Sequence, residues 1–390
     1  MENIIVRGPC SQSGFGRHLI GFLKVLENAN YNPKLIQLNV HQGQHRKGFS
    51  PDTLKYLDDI SIKQDDPCIK DSVLIDVGSL IYGLSVPMPE CKRSIFYTVT
   101  ETTNIHPEYV YMLNNKYSEI WTASSFNKVG FTNSGVTNTI KILPEYVDLN
   151  LFNPNVEPMK LKNKRGFNFI INMDMSYRKG LHLLLPAFIE TFDKDDDVSL
   201  ILKLSNGNFG RENMELVTEP LNDMFYRLKI KDQSHAPILL FLDFIEDNYL
   251  PSFYKMGQCH VSPNLAEGFG LTIAESMSCG LPQLISRCGA PLDYTNRKST
   301  VYIDLDEKKP TQPIKDASLI KRDPRYRGCE IYNISMDSLK ENLQHCYNSQ
   351  EDIQEKGIEA RKQIVSKLDI NILSETFNKI FETGAEEIEL

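Results

Sequence analysis

The stretch "NLAEGFGLTIAESMSCG" (264–280) sets two carboxylates, Glu267 and Glu275, on either side of Gly268 and Gly270. A glycine turn that runs straight into a helix exposes backbone N–H groups at the positive end of the helix dipole, an environment suited to anions. A glutamate beside it either caps the helix or holds something other than an anion, such as sugar hydroxyls. Capping accounts for one of the two. "TIAE" reads as a capping box, with Thr272 as N-cap and Glu275 folded back onto its amide. Glu267, ahead of that cap, is left without a role.

Two other stretches carry complementary chemistry. In "RKGLHLLLPAF" (178–188), Arg178 and Lys179 stand just before Gly180 and an apolar helix pattern. Cations at a helix N-terminus oppose the dipole unless an anion lies between them and the helix. A phosphate at the end of the preceding strand is one such anion; the plainer reading is a solvated surface pair. In "SGFGRH" (13–18), Gly14, Phe15 and Gly16 open a helix after the first strand pattern, where glycine amides can approach a phosphate. The third glycine of a dinucleotide fingerprint is absent, and no acidic residue ends the next strand pattern, so a dehydrogenase is disfavoured.

The elements that must hold these residues follow from periodicity. Short apolar runs at 3–6, 34–40, 72–77, 93–100, 119–124 and 141–147 alternate with helix-period stretches, the first of them at 14–29. After a Pro-, Asn- and Lys-rich stretch at 152–166, read as a linker, the alternation resumes. Strands are expected at 167–173, 198–204, 237–243, 258–263, 282–286 and 300–305, with helices from about 180 and about 213 and at 271–279. The last part of the chain reads as helical. Apolar strands alternating with helices predict an α/β chain with parallel sheets covered on both faces.

Bulk properties limit the function. The 390 residues are too many for one core and suit two domains. With 43 basic against 51 acidic residues, the net charge of −8 argues against nucleic acid as the main partner. Eight cysteines without a CxxC pair are expected as reduced thiols. "MENIIVRG" lacks the pattern of a secretory leader, and no window reaches the ~20 apolar residues of a membrane span. The expectation is a cytoplasmic enzyme with no transmembrane segment.

"EGFGLTIAE" (267–275) resembles the E-x7-E motif of the retaining GT-B glycosyltransferases of family 4, the group 1 glycosyl transferases. Further stretches fall in the order of that family: the glycine-rich loop after the first strand, "YSEIWTASSFNKVGFTNSGV" (117–136), "KILPEYVDLNLFNP" (141–154) and "RKGLHLLLPAF". The resemblance covers about 1–380. It implies two Rossmann-like, doubly wound domains facing a cleft, with a helical tail. Residues 1–158 would form the acceptor-side domain, 159–365 the nucleotide-sugar donor domain, and 366–390 a helix crossing back to the first.

The resemblance also implies roles. A sugar from a UDP-, GDP- or other nucleoside diphosphate donor would pass to a hydroxyl of an acceptor glycan or glycoconjugate, without metal or other cofactor. Arg178 and Lys179 would neutralise the diphosphate. The amides of Gly268, Phe269, Gly270 and Leu271 would hold sugar hydroxyls or phosphate. Glu275 would bind the ribose, Glu267 would contact the transferred sugar near its reacting carbon, and Gly14 to Gly16 would close over the diphosphate. Two departures stand out. Asn172–Met173 occupies a position where relatives often carry an arginine, so Lys203 is the expected substitute. Many relatives have a histidine in the loop after the 93–100 strand, where this chain offers Glu101, the first choice, or His106. Acceptor contacts are expected from loops 41–50 and 101–110. A GT-B epimerase and a non-catalytic nucleotide-sugar scaffold are the rival readings.

Overall fold

Strands this apolar need their faces covered, and most are followed by a helix that can cover one. The computed structural model describes residues 2–38, 48–205, 210–227, 234–242 and 244–382. Most of the expected 41–50 loop lies outside the described residues. The chain forms two compact units.

The first unit holds the chain up to Asp148, with Asp323–Cys329 and the stretch from Ser366. Its sheet is parallel, in the order β2-β1-β3-β4-β5-β6. The strands are β1 (Ile4–Pro9), β2 (Lys34–Leu38), β3 (Val73–Val77), β4 (Arg93–Tyr97), β5 (Glu119–Thr122) and β6 (Ile140–Ile142). The connecting helices are α1 (Gly14–Asn28), α2 (Pro51–Asp59), α3 (Leu80–Ser85), α4 (Pro107–Lys116) and α5 (Ser125–Asn133). Periodicity marked only the first of these. Local signals mark others: α2 and α4 each start on proline after a capping side chain, Ser50 and His106.

The second unit holds Leu149–Arg322 and Glu330–Val365. Its sheet runs β12-β11-β10-β7-β8-β9. The strands are β7 (Phe167–Asp174), β8 (Val198–Ser205), β9 (Ile238–Phe241), β10 (Cys259–Ser262), β11 (Gln283–Ser286) and β12 (Thr300–Ile303). Helices α6 (Leu181–Thr191), α7 (Gly210–Arg227), α8 (Leu250–Tyr254) and α9 (Leu271–Ser278) connect them. A small antiparallel pair that the sequence did not announce, β13 (Thr311–Pro313) with β14 (Glu330–Tyr332), brackets α10 (Ala317–Arg322). Helices α11 (Met336–Asn348), α12 (Gln350–Leu368) and α13 (Ile370–Glu382) end the described chain.

The two units divide at Asp148–Leu149, ahead of the stretch read as a linker. Arg361 explains where that stretch goes: its guanidinium donates to the carbonyls of Leu149 (3.0 Å) and Phe152 (2.9 Å), tying the start of the stretch to the second unit. In the first unit α13 packs on α1, with Phe377 in edge contact with Tyr31 (5.3 Å), Trp121 (5.7 Å) and Phe22 (6.1 Å).

In each sheet the order reverses once, beside β1 in the first unit and between β7 and β10 in the second. Open α/β sheets bind ligands at such a switch point, off the carboxyl ends of the flanking strands. In the second unit the two loops that leave those ends contain Arg178–Lys179 and Glu267.

Candidate active site

Strand β7 ends at Asp174, whose carboxylate accepts from the Ser176 amide (2.8 Å) and turns the chain. A single 3₁₀ turn, Tyr177–Lys179, follows, then Gly180 at φ +75° and helix α6. The glycine is obligatory: a Cβ there would fall 2.1 Å from the Pro263 carbonyl oxygen. That close approach brings the loop after β7 against the loop after β10. The Leu265 amide then donates to the Arg178 carbonyl (2.7 Å), and the Arg178 guanidinium to the Ala266 carbonyl (3.3 Å).

The result is a charged cluster at the sheet's switch point. Lys179 Nζ lies 2.5 Å from Glu267 Oε2, and Arg178 lies 3.7 Å from the same oxygen and 3.7 Å from Asp174 Oδ2. Asn264 Nδ2 donates to Glu267 Oε2 as well (3.0 Å). Glu267 is only 7% exposed. The basic pair placed against the α6 dipole is therefore compensated by the protein's own carboxylates. Burial works to raise the Asp174 carboxyl, but the Arg178 and Lys179 charges and hydrogen bonds from Ser176 hold it down to about 2. His260, inside β10, is lowered to about 4 by burial, against its Gln283 hydrogen bond, with the Lys179 charge adding to the effect.

The turn itself is built from behind. Gly270 sits at φ +93° as the N-cap of α9, and the Tyr294 hydroxyl donates to the Phe269 carbonyl (2.8 Å) while its ring packs on that of Phe269 (5.3 Å). The Ala290 amide donates to the Glu267 carbonyl (3.1 Å). The capping box expected at "TIAE" is absent. Helix α9 starts at Leu271, capped by a left-handed glycine with no side-chain bond, so Thr272 already lies within the helix. Glu275, 1% exposed, turns inward and accepts from the Tyr254 hydroxyl (2.8 Å). The Ser/Thr-x-x-Glu spacing imitated a cap because a glycine two residues earlier had already taken the position.

Structure thus brings together Arg178, Lys179, Glu267 and the 268–271 turn, with Glu275 on the helix that the turn begins. Lys203 is on β8, in register with Asn172 of β7 and 8% exposed. Three participants escaped the sequence reading: Asp174, Asn264 and Tyr254. Asp174 had a signal, four residues ahead of Arg178 at a strand end; Tyr254, in a short apolar helix, had none.

The first unit's candidates occupy their own sheet edge. Gly16 donates its amide to Ser13 Oγ (3.3 Å), the N-cap of α1, and a Cβ on it would fall 1.9 Å from the Ser11 carbonyl oxygen. A Cβ on Gly14 would meet nothing within 4 Å. Glu101 is half-buried in the turn after β4, beside Thr100 and Thr102, which bond to Asn127 and Asn104. His106 accepts the Glu108 amide at Nδ1 (3.3 Å) and caps α4, so capping accounts for it.

Residues 165–309 match the family described as Glycosyl transferases group 1. The O-antigen chain mannosyltransferase B of Escherichia coli is 44% identical over 46 residues, 12% of this chain and 12% of that protein. An uncharacterized glycosyltransferase of Methanocaldococcus jannaschii is 24% identical over 119 residues, 30% of this chain and 27% of that one. The matches thus span well under half the length of these curated relatives. Anabaena HepE, solved in complex with UDP-glucose, superposes with a TM-score of 0.64 at 13% identity over 97% of this chain and 99% of that one. No helix among the described residues is long and apolar enough to cross a membrane. Residues 165–309 carry a Glycosyl transferases group 1 domain, and the chain as a whole has the GT-B fold.

Proposed function

We propose that the protein transfers a sugar from a nucleoside diphosphate donor to an acceptor hydroxyl, with retention at the sugar carbon and no required divalent metal. The observation that carries this is the convergence of Arg178, Lys179 and Glu267 on a glycine turn at the switch point of the second sheet. Breaking the bond between sugar carbon and diphosphate places growing negative charge on the leaving oxygen. Two cations held in a largely buried setting, with turn amides beside them, stabilise that charge without reorganising. The acceptor proton passes to the departing phosphate oxygen as the new bond forms on the same face of the sugar.

Glu267 occupies the anionic position between the two cations. Donor binding then exchanges partners: the diphosphate takes Arg178 and Lys179, and the Glu267 carboxylate turns to the transferred sugar. Glu275 holds the ribose, and Lys203 supplies further positive charge. HepE is solved in complex with UDP-glucose, which makes UDP-sugars the first to try. The test is a panel of UDP- and GDP-sugars incubated with and without sugar acceptors. Release of nucleoside diphosphate coupled to acceptor glycosylation supports the reading. Conversion of the donor without acceptor, or binding without turnover, overturns it.

A further inference from the structure

Behind Glu275 stands a line of polar groups that neither neutralises phosphate nor touches the basic pair. Glu275 Oε2 accepts from the Tyr254 hydroxyl at 2.8 Å, and the Tyr254 oxygen accepts from Asn172 Nδ2 at 3.2 Å. The three residues come from three elements: Asn172 from the end of β7, Tyr254 from the end of α8 and Glu275 from α9. Tyr254 is fully buried, its ring fixed by Phe253 (5.8 Å), His260 (6.1 Å) and Phe152 (6.3 Å).

The direction of the line follows from its chemistry. An ionised carboxylate only accepts, so the Tyr254 hydroxyl donates its hydrogen bond to Glu275. The tyrosine oxygen is then an acceptor, and only the amide nitrogen of Asn172 can serve it. Each bond polarises the next in a dry setting, so the carboxylate is held by a charge-assisted bond whose donor is itself anchored. Packing alone would be met equally well by phenylalanine at 254. The hydroxyl has a separate purpose.

We propose that Tyr254, set by Asn172, is a positioning residue that orients the Glu275 carboxylate for the two ribose hydroxyls of the donor and so makes the site selective for ribonucleotides. This rests on the nucleoside diphosphate reading of the same site and adds the source of its sugar selectivity. A vicinal diol donates two hydrogen bonds to one carboxylate at the least entropic cost when that carboxylate is already held in a fixed plane. An unanchored glutamate regains rotamer freedom and loses that discrimination.

The experiment compares binding of UDP and GDP with their 2′,3′-dideoxy counterparts, by calorimetry, in the wild type, Tyr254→Phe and Asn172→Ala. The wild type should prefer the ribonucleotide by about tenfold or more, the value of one or two charge-assisted hydrogen bonds. Tyr254→Phe should cut that preference several-fold with affinity for the dideoxy compound unchanged, while the melting temperature falls because the buried Glu275 loses a donor; Asn172→Ala should cut the preference less. A Tyr254→Phe variant that keeps the full preference overturns the inference. So does one that loses affinity for both compounds alike, because that is a packing role. A wild type that binds no nucleoside diphosphate overturns the donor reading itself, and a wild type that binds ribo and dideoxy forms equally overturns the ribose role of Glu275 alone.

Discussion

The glycine turns of the two units look alike in sequence and are held in opposite ways. In the first unit, Gly16 is tied to Ser13 three residues away, and His106 is satisfied by Glu108 two residues away. In the second, Lys179 meets Glu267 across 88 residues, and Gly180 is fixed by the carbonyl of Pro263. A turn closed by its neighbours forms wherever its local sequence goes. A turn closed by a distant loop forms only when the whole sheet is in place, and in return it can gather charges that no local segment would hold together. The second kind suits chemistry that needs like charges side by side.

The largest expected effect tests that contrast directly. Lys179→Ala and Arg178→Ala should each lower kcat by about 100-fold or more, the usual cost of removing one preorganised donor to a developing charge. Glu267→Gln should lower turnover comparably while nucleoside diphosphate binds as tightly as before or more tightly, because the carboxylate that competes with phosphate is gone. Initial rates and calorimetry separate the two outcomes. A Glu267→Gln variant that binds the nucleotide more weakly would refute the exchange of partners.

Stability should divide the two turns as well. Gly180→Ala forces a Cβ into the Pro263 carbonyl at φ +75° and should destabilise by about 3 kcal/mol. Gly14→Ala, with open space around it, should be neutral or stabilising by about 0.5 kcal/mol. Thermal melting of both variants checks this. A large loss for Gly14→Ala would mean that its loop is not locally held. Lost activity without lost stability would instead support a ligand role there.

A smaller, pH-dependent effect distinguishes the cores. Burial lowers His18 of the first unit to about 3, and His182 and His260 of the second to about 4. All three fold in the neutral form, so their stability contribution is complete above the unfolded value of about 6.5 and is lost as pH falls below it. For His18, which is 2% exposed and lies 3.9 Å from Glu145, the step from pH 7 to pH 5 should cost about 2 kcal/mol. Urea unfolding at the two pH values measures it, and His18→Leu should reduce the difference. An unchanged difference would place the effect elsewhere.

The smallest expected effect is none at all. Turnover should survive exhaustive chelation, since Arg178 and Lys179 supply positive charge where a metal-dependent enzyme would use a cation. Loss of activity that magnesium or manganese restores would show that the two side chains are insufficient.

What the sequence determined by itself was the periodic part. Each apolar run it marked in the first half and each from 167 to 305 became a strand of one of two parallel sheets, because a buried strand flanked by helices needs that pattern wherever it lies. Residue types and spacing left Glu267 and Glu275 undecided, and it was the resemblance of "EGFGLTIAE" to a family motif that singled them out. Local cues underdetermined the rest. "TIAE" is as good a capping box as any, and only the left-handed Gly270 two residues earlier took the cap and left Glu275 to face inward to Tyr254. The linker reading of 152–166 was reasonable from composition, yet Arg361, two hundred residues on, tied its start to the second unit. The anion demanded by Arg178 and Lys179 was legible as a need, but its identity as Glu267 depended on two loops meeting at a sheet's switch point. Periodicity reports which face of an element is dry. Pairing of charges depends on which strand ends become neighbours, and that is decided only when the sheet orders its strands.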